Sequence, residues 1–187
     1  MNDEMKKLSD ALWNEIVEAK FKWKLFEQLF AHSDARSSML FSAANHFFVV
    51  LHNLLPESVA IAIARLVDTK HKVSLTRLVS FAENRVNHAI YETAVSSMEE
   101  VKQLSRPIVD RRHGIYAHRS LLTLESDPPP KIGEVTRLNV SRVLNKMGDL
   151  LNLVGGGLGL PKYPPEVVFA TDGETLVRVI EKGKQTP

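Results

Sequence analysis

LSDALWNEIVEAKFKWKLFEQLF (residues 8–30) carries apolar side chains at Leu8, Leu12, Ile16, Ala19, Trp23, Phe26 and Phe30. The steps are four or three residues, the interval at which an α-helix returns to the same face, so one unbroken apolar stripe runs down a long amphipathic helix. A stripe of that length needs partners to bury it, and aromatic residues at this spacing are core rather than a cofactor box. Ser33 and Asp34 interrupt the pattern.

The same period recurs on both sides of that interruption. Residues 36–55 are apolar on several sides through Leu40, Ala44, Phe47, Phe48, Leu51 and Leu55, which suits the centre of a bundle or a subunit interface. Pro56 predicts a kink there, or the first turn of a following helix over VAIAIARLVD (residues 59–68). After a turn at Thr69–Lys72, Ser74 has the chemistry of an N-cap for a short helix ending near Glu83. A long helix starting near Asn87 buries Ile90, Ala94, Met98, Val101, Leu104 and Ile108, with a kink predicted at Pro107.

DPPPKIG (127–133) reads as a stiff loop, and a further helix over about 134–154 buries Val140, Val143, Leu144, Met147, Leu150 and Val154. GGGLGLPKYPP (155–165) lacks the Gly-Lys-Ser/Thr of a phosphate loop and reads as a helix stop and connector. Val167, Val168 and Phe169 suit a short extended segment. Thr171 with Glu174 forms a capping-box pattern for a last short helix, stopped at Gly183. Nothing alternates long enough for a sheet. The expected fold is all-α, an up-and-down helical bundle over residues 1–160 with a short C-terminal appendage over 161–187.

Composition narrows the function classes. The chain is 44% hydrophobic and 25% charged with no cysteine, which fits a soluble globular domain and excludes disulfides, thiolate zinc sites and a cysteine nucleophile. The first thirty residues are charged and periodic, unlike a signal peptide. The longest apolar stretch is broken by Asn45, His46, His52 and Asn53, so no bilayer-spanning helix is expected, no membrane partner, and a cytoplasmic location.

The net charge of +2 is unevenly spread. Residues 101–122 hold Lys102, Arg106, Arg111, Arg112 and Arg119 against Asp110 alone, 5 − 1 = +4, so the remainder sums to −2. The cluster centres on VDRRHGIYAHRS (residues 109–120), which also takes two of the seven histidines. A basic cluster mostly serves as a solvated face, but it also suits an anion, of which phosphate is the commonest. On a helix Arg111 and His118 share a face, as do Arg112 and Arg119; a bend at Gly114 would bring Arg112 to His118 instead. Histidine moves protons near neutral pH, and arginine offers a fork of donors to a phosphate and its transition state. Together they suffice for metal-free RNA cleavage, in which the neighbouring 2′-hydroxyl is the nucleophile.

RHGIYAH (112–118) also resembles the signature of the HEPN superfamily, an arginine followed by a polar residue and then a histidine; RRHGIYAH offers Arg111 in the same part. AHRS (117–120) and IARLVD (63–68) on an apolar helix are similar to the abortive-infection, AbiU-type branch, with the similarity running from about residue 8 to 155. The resemblance implies a metal-independent endoribonuclease acting in phage defence or as the toxin of a toxin–antitoxin pair. It implies RNA as partner, a homodimer with the two motifs facing one another, an antitoxin protein where such a pair exists, and no cofactor. Carried over to this chain, His118 is the acid/base group and Arg112 the phosphate clamp, with Arg111 competing for that role. His113 stands where the family often has asparagine, and either binds the phosphate or orients His118. Arg111, Arg119 and Tyr116 are the candidates for holding RNA.

A second class stays open: a non-catalytic helical module that binds a nucleotide or a protein through the same patch. Arg65 and Asp68, three apart, suit a local ion pair. His32, His46, His52, His71 and His88 lack the spacing of a zinc or di-iron site and read as core or helix-end residues, so no metal is expected.

Overall fold

A computed structural model describes residues 3–112, 136–164 and 172–185. Among them are seven helices and no strand: α1 (Asp3–Phe30), α2 (Asp34–Ala43), α3 (Asn45–Val67), α4 (Leu75–Ala82), α5 (His88–Arg111), α6 (Arg137–Gly157) and α7 (Asp172–Gln185). The all-α expectation holds. The DPPPKIG segment, Val167–Phe169 and Thr171 lie outside the described residues.

The stripe on α1 is the organising surface. Leu8, Leu12, Ile16, Ala19, Trp23 and Phe30 are buried, and Phe26 is partly so. Against it pack α3 and α6, and α5 closes the bundle by packing on both. Leu12, Ile16, Ile63, Leu66, Val101, Leu144 and Met147 interlock in the centre. Each such side chain contributes about 1.5–3 kcal/mol by leaving water, which offsets the entropy of ordering the chain. A second, smaller core joins Leu29 and Phe30 of α1 to Leu40, Phe48, Leu55 and Val177.

Several boundaries differ from the pattern in the sequence. The segment expected as one helix over 36–55 is two, broken at Ala44, whose backbone leaves the helical region (φ −155°, ψ 78°). Pro56 neither ends nor starts a helix. It lies inside α3, because Leu55, Val59, Ile63 and Leu66 are buried on one continuous face and their burial outweighs the roughly 3 kcal/mol cost of an internal proline. Pro107 likewise lies inside α5, which runs on to Arg111. The helix α6 runs through Gly155, Gly156 and Gly157. It stops only before Gly159, whose φ of +72° is readily adopted by glycine. Gly157 also allows close approach: a Cβ there would lie 3.1 Å from Ile90 and from Val86. Gly183 does not stop α7, which continues to Gln185.

The expected cap at Ser74 is present, its Oγ accepting from Arg77 N (3.3 Å), and the helix expected to start near Asn87 is capped by that residue, whose Oδ1 accepts from Ala89 N (2.8 Å). The expected Arg65–Asp68 pair is not made. Since α3 ends at Val67, Asp68 instead accepts from Lys70 N at 2.8 Å, and Arg65 reaches across to Glu15 of α1.

By length and apolar composition α3 does qualify as a membrane-crossing helix, so the expectation that no segment would was too strict. Its two halves differ. The second half, with Val59, Ala60, Ala62, Ile63 and Leu66, is buried in the bundle; the first half exposes Phe47 (57%), Val50 (59%) and Leu54 (50%).

The chain beyond α6 is tied back onto the bundle. Tyr163 stacks on Trp13 (5.0 Å between rings) and donates its hydroxyl to Asp10 Oδ1 (2.7 Å), and Asn152 clasps its backbone at 2.8 and 3.0 Å. Burial and the Asp10 carboxylate push the phenol well above its usual pKa. Helix α7 docks on α1 and α2: Gly173 N donates to Gln28 Oε1 (3.1 Å), and Glu174 accepts from Arg36 (2.9 Å) beside His32 (3.1 Å). The Arg36 hydrogen bond holds the Glu174 carboxyl below its usual pKa. A Cβ on Gly173 would sit 2.8 Å from Gln28 Cβ, which is too close without movement. Gly173→Ala is therefore expected to destabilise the docking of α7 by about 1–3 kcal/mol, seen as faster amide exchange in α7. Unchanged exchange there would mean that the contact does not hold the helix.

Candidate functional site

The basic cluster begins at the C-terminal end of α5. Ala94, Met98, Val101, Ser105 and Ile108 are buried on that helix, which seats its last turn against the core. Arg111 ends the helix, and Arg112 caps it with helical dihedrals (φ −58°, ψ −47°), its N–H donating to the carbonyls of Ile108 and Val109. A helix C-terminus carries partial negative charge, which stabilises cations placed there. The same charge repels a phosphate, so any anion at this end must be held by the arginine side chains.

Those side chains are available. Asp110, the only acid of the cluster, pairs loosely with Arg106 (3.9 Å), and Lys102 lies 4.0 Å from Glu99. Such exposed pairs contribute little stability. Among the described residues neither Arg111 nor Arg112 has a carboxylate partner, and the Nε of Arg112 is buried without a hydrogen bond. An unsatisfied buried donor costs about 1–3 kcal/mol, so that nitrogen calls for an acceptor.

Arg111 lines a cleft of about 760 Å³ enclosed by α1, α3, α5 and α6. One wall is aromatic. Trp23 stacks on Phe26 (5.2 Å), and His52 of α3 meets Phe26 at 5.6 Å and Phe30 edge-on at 5.0 Å. Trp23 is held in place by its indole N–H, which donates to Ser141 Oγ at 3.0 Å. The rim is polar: His32, Ser33 and Asp34 from the α1–α2 junction, Asn53 from α3, Arg111 from α5 and Arg137 from the start of α6. Thr136 caps α6, its hydroxyl accepting from Asn139 N (3.2 Å), and thereby sets Arg137 in the first turn. The Arg137 guanidinium donates to the Ala31 carbonyl, tying α6 to the end of α1.

Of the residues picked out in the sequence, the structure places Arg111 in the cleft and Arg112 beside it on the helix end. His113, Tyr116, His118 and Arg119 lie outside the described residues. Sequence reasoning missed the cleft itself. Phe26, Phe30 and Trp23 belong to the stripe that reads as core, and His52 reads as a core or helix-end histidine; they also form the cleft wall, and His52 is exposed. The only hint was the mixed character of the 45–56 stretch, where His52, Asn53 and Pro56 interrupt an apolar helix. Nothing in the sequence marked Arg137. Among the described residues, no three histidine, aspartate or glutamate side chains are grouped closely enough to hold a metal ion.

A protein-family model, HEPN_AbiU2, described as AbiU2, matches residues 2–176, nearly the whole chain. No curated protein and no solved structure matches it.

Proposed function

The chain belongs to the AbiU2 family of HEPN-type abortive-infection proteins, and from that premise we propose that it is a metal-independent endoribonuclease. The observation that carries the reading is the adjacent pair Arg111 and Arg112 at the end of α5, without carboxylate partners among the described residues and beside a cleft. Unpaired guanidiniums at a helix C-terminus suit a polyanion that supplies its own acceptors.

In the reaction, the RNA 2′-oxygen bonds to the adjacent phosphorus while the bond from phosphorus to the 5′-oxygen breaks. The 2′-hydroxyl loses a proton and the departing 5′-oxygen gains one. The products are a 2′,3′-cyclic phosphate and a 5′-hydroxyl, and no oxidant, water or metal enters the balance. His118 handles the proton and Arg112 stabilises the charge on the pentacoordinate phosphorus. His113 hydrogen-bonds the phosphate or orients His118, and Arg111, Tyr116 and Arg119 hold the strand.

The working form is a homodimer. The exposed face of α3, with Phe47, Val50 and Leu54, is apolar enough to be covered by its own copy about a two-fold axis. Pairing then places two Arg/His motifs in one cleft, so that one histidine takes a proton while the other gives one. The protein acts in the cytoplasm in phage defence, or as a toxin restrained by an antitoxin protein.

The deciding experiment incubates the purified protein with labelled total RNA, with and without a chelator. Equal cleavage in both, leaving cyclic phosphate ends, is the expected result. Cleavage that stops with the chelator would refute a metal-independent mechanism. Complete silence would favour a non-catalytic binding module using the same arginines.

A further inference from the structure

We propose that the cavity lined by Lys20 of α1 and Asp149 of α6 binds a small zwitterion, an aliphatic α-amino acid, with its carboxylate on Lys20 and its ammonium on Asp149. The cavity has a volume of about 260 Å³ and shares no lining residue with the cleft beside Arg111.

Lys20 is the exception among the lysines of α1. Lys6, Lys7, Lys22 and Lys24 each pair with an acid three or four residues away. The residues at those distances from Lys20 are Ile16, Val17, Trp23 and Lys24, so its own helix offers it no carboxylate. The side chain is half-buried, and burial pushes its ammonium below the usual pKa. Asp149, on the same cavity, attracts it and offsets that effect only in part, without closing an ion pair. An ammonium partly withdrawn from water gains from a carboxylate brought to it.

Asp149 sets the rest of the ligand class. Among the described residues it forms no ion pair either, so a plain anion beside Lys20 would meet an uncompensated negative charge. The two lining charges cancel, which suits a ligand that is neutral overall and carries both signs. Asp149 is exposed, which keeps the ammonium end of the ligand toward solvent. Trp13 supplies an apolar ring for an aliphatic side chain. Tyr163 stacks on that ring at 5.0 Å, and Asn152, also on the cavity, clasps the Tyr163 backbone and holds the pair in place.

Gly148 points the same way. It lies in the middle of α6, where glycine weakens a helix relative to alanine. Packing does not require it: a Cβ there would lie 3.9 Å from Lys20 Nζ and 4.0 Å from Trp13 Cζ3, both ordinary contacts. Those two groups are the partners of the ligand's carboxylate and side chain, so the missing methyl leaves open the space beside both.

Isothermal titration calorimetry of the full-length protein tests the site, with L-alanine, L-valine and L-leucine as probes. Each is compared with the matching acid that lacks the amino group and the matching amine that lacks the carboxylate. Saturable heat is expected with at least one amino acid, and binding about tenfold or more weaker for its two single-charge counterparts. Lys20→Met and Asp149→Asn are each expected to weaken binding by the same factor. Gly148→Ala should weaken it too while the melting temperature holds or rises, a combination that a folding defect does not produce. The Gly148→Ala result decides the matter if either charge variant fails to fold. Absence of heat from all three amino acids at millimolar concentration would overturn the site. Equally tight binding of a single-charge counterpart, or full affinity in a folded Lys20→Met or Gly148→Ala protein, would overturn it as well.

Discussion

Exchange of His118 for alanine is expected to lower the rate of RNA cleavage by about 10²–10⁴-fold, the range lost when a general acid or base is removed. RNA affinity should change little, because in the proposed mechanism the imidazole acts on a proton and not on the strand. The two arginines then separate by kinetics. Arg112, whose buried Nε lacks a partner, is the proposed clamp on the charge that grows in the transition state; its alanine variant should lose about 10²–10³-fold in kcat. Arg111 lines the cleft, so Arg111→Ala should act mainly by raising KM. Steady-state cleavage of one defined RNA by the three variants checks all three effects. Full activity in His118→Ala would remove the histidine from the mechanism, and the ribonuclease assignment of the motif with it.

Introducing a carboxylate on the exposed face of α3 is expected to take the proposed dimer apart. Val50 is 59% exposed in one chain, so Val50→Asp should leave the fold and its melting temperature nearly unchanged. In a two-fold interface the same change appears twice, and each unpaired charge buried in an apolar contact costs about 3 kcal/mol or more. The dimer dissociation constant should therefore rise by well over a hundredfold, measured by sedimentation across a concentration series. Cleavage should fall in parallel if, as proposed, the two copies share one site. A Val50→Asp protein that stays dimeric would place the interface elsewhere. A wild-type protein that sediments as a monomer at all concentrations would end the shared-site mechanism.

The residues differ in how far they could be read in advance. Leu8, Leu12, Ile16 and Trp23 announce their helix and its buried face because the helical period is a local property of the chain, repeated over six turns. The cap at Ser74 was legible for the same reason, since a cap is satisfied by a backbone N–H only a few residues away. Gly155–Gly157 and Gly183 misled, because local preference there is overridden. Pro56 stays in its helix because its neighbours Leu55 and Val59 are buried, and at Gly157 Ile90 of α5 and Val86 just before that helix leave little room for a Cβ. Arg65 chose Glu15 over Asp68 once α1 came alongside α3.

By itself, then, the sequence determined the all-α class, the stripe on α1 and the Arg/His motif with its family resemblance, all carried by residues within a few turns of one another. The tertiary structure alone decided that Arg111 opens onto a cleft, that Phe26, Phe30 and His52 serve as its wall as well as packing, and that Arg137 comes to the same rim. Those residues are drawn from four helices, and the distance between Phe26 and Arg137 along the chain closes only when α1 and α6 pack together. Local periodicity reports which side of a helix is buried. It carries no information on where two buried faces fail to meet and leave room for a ligand.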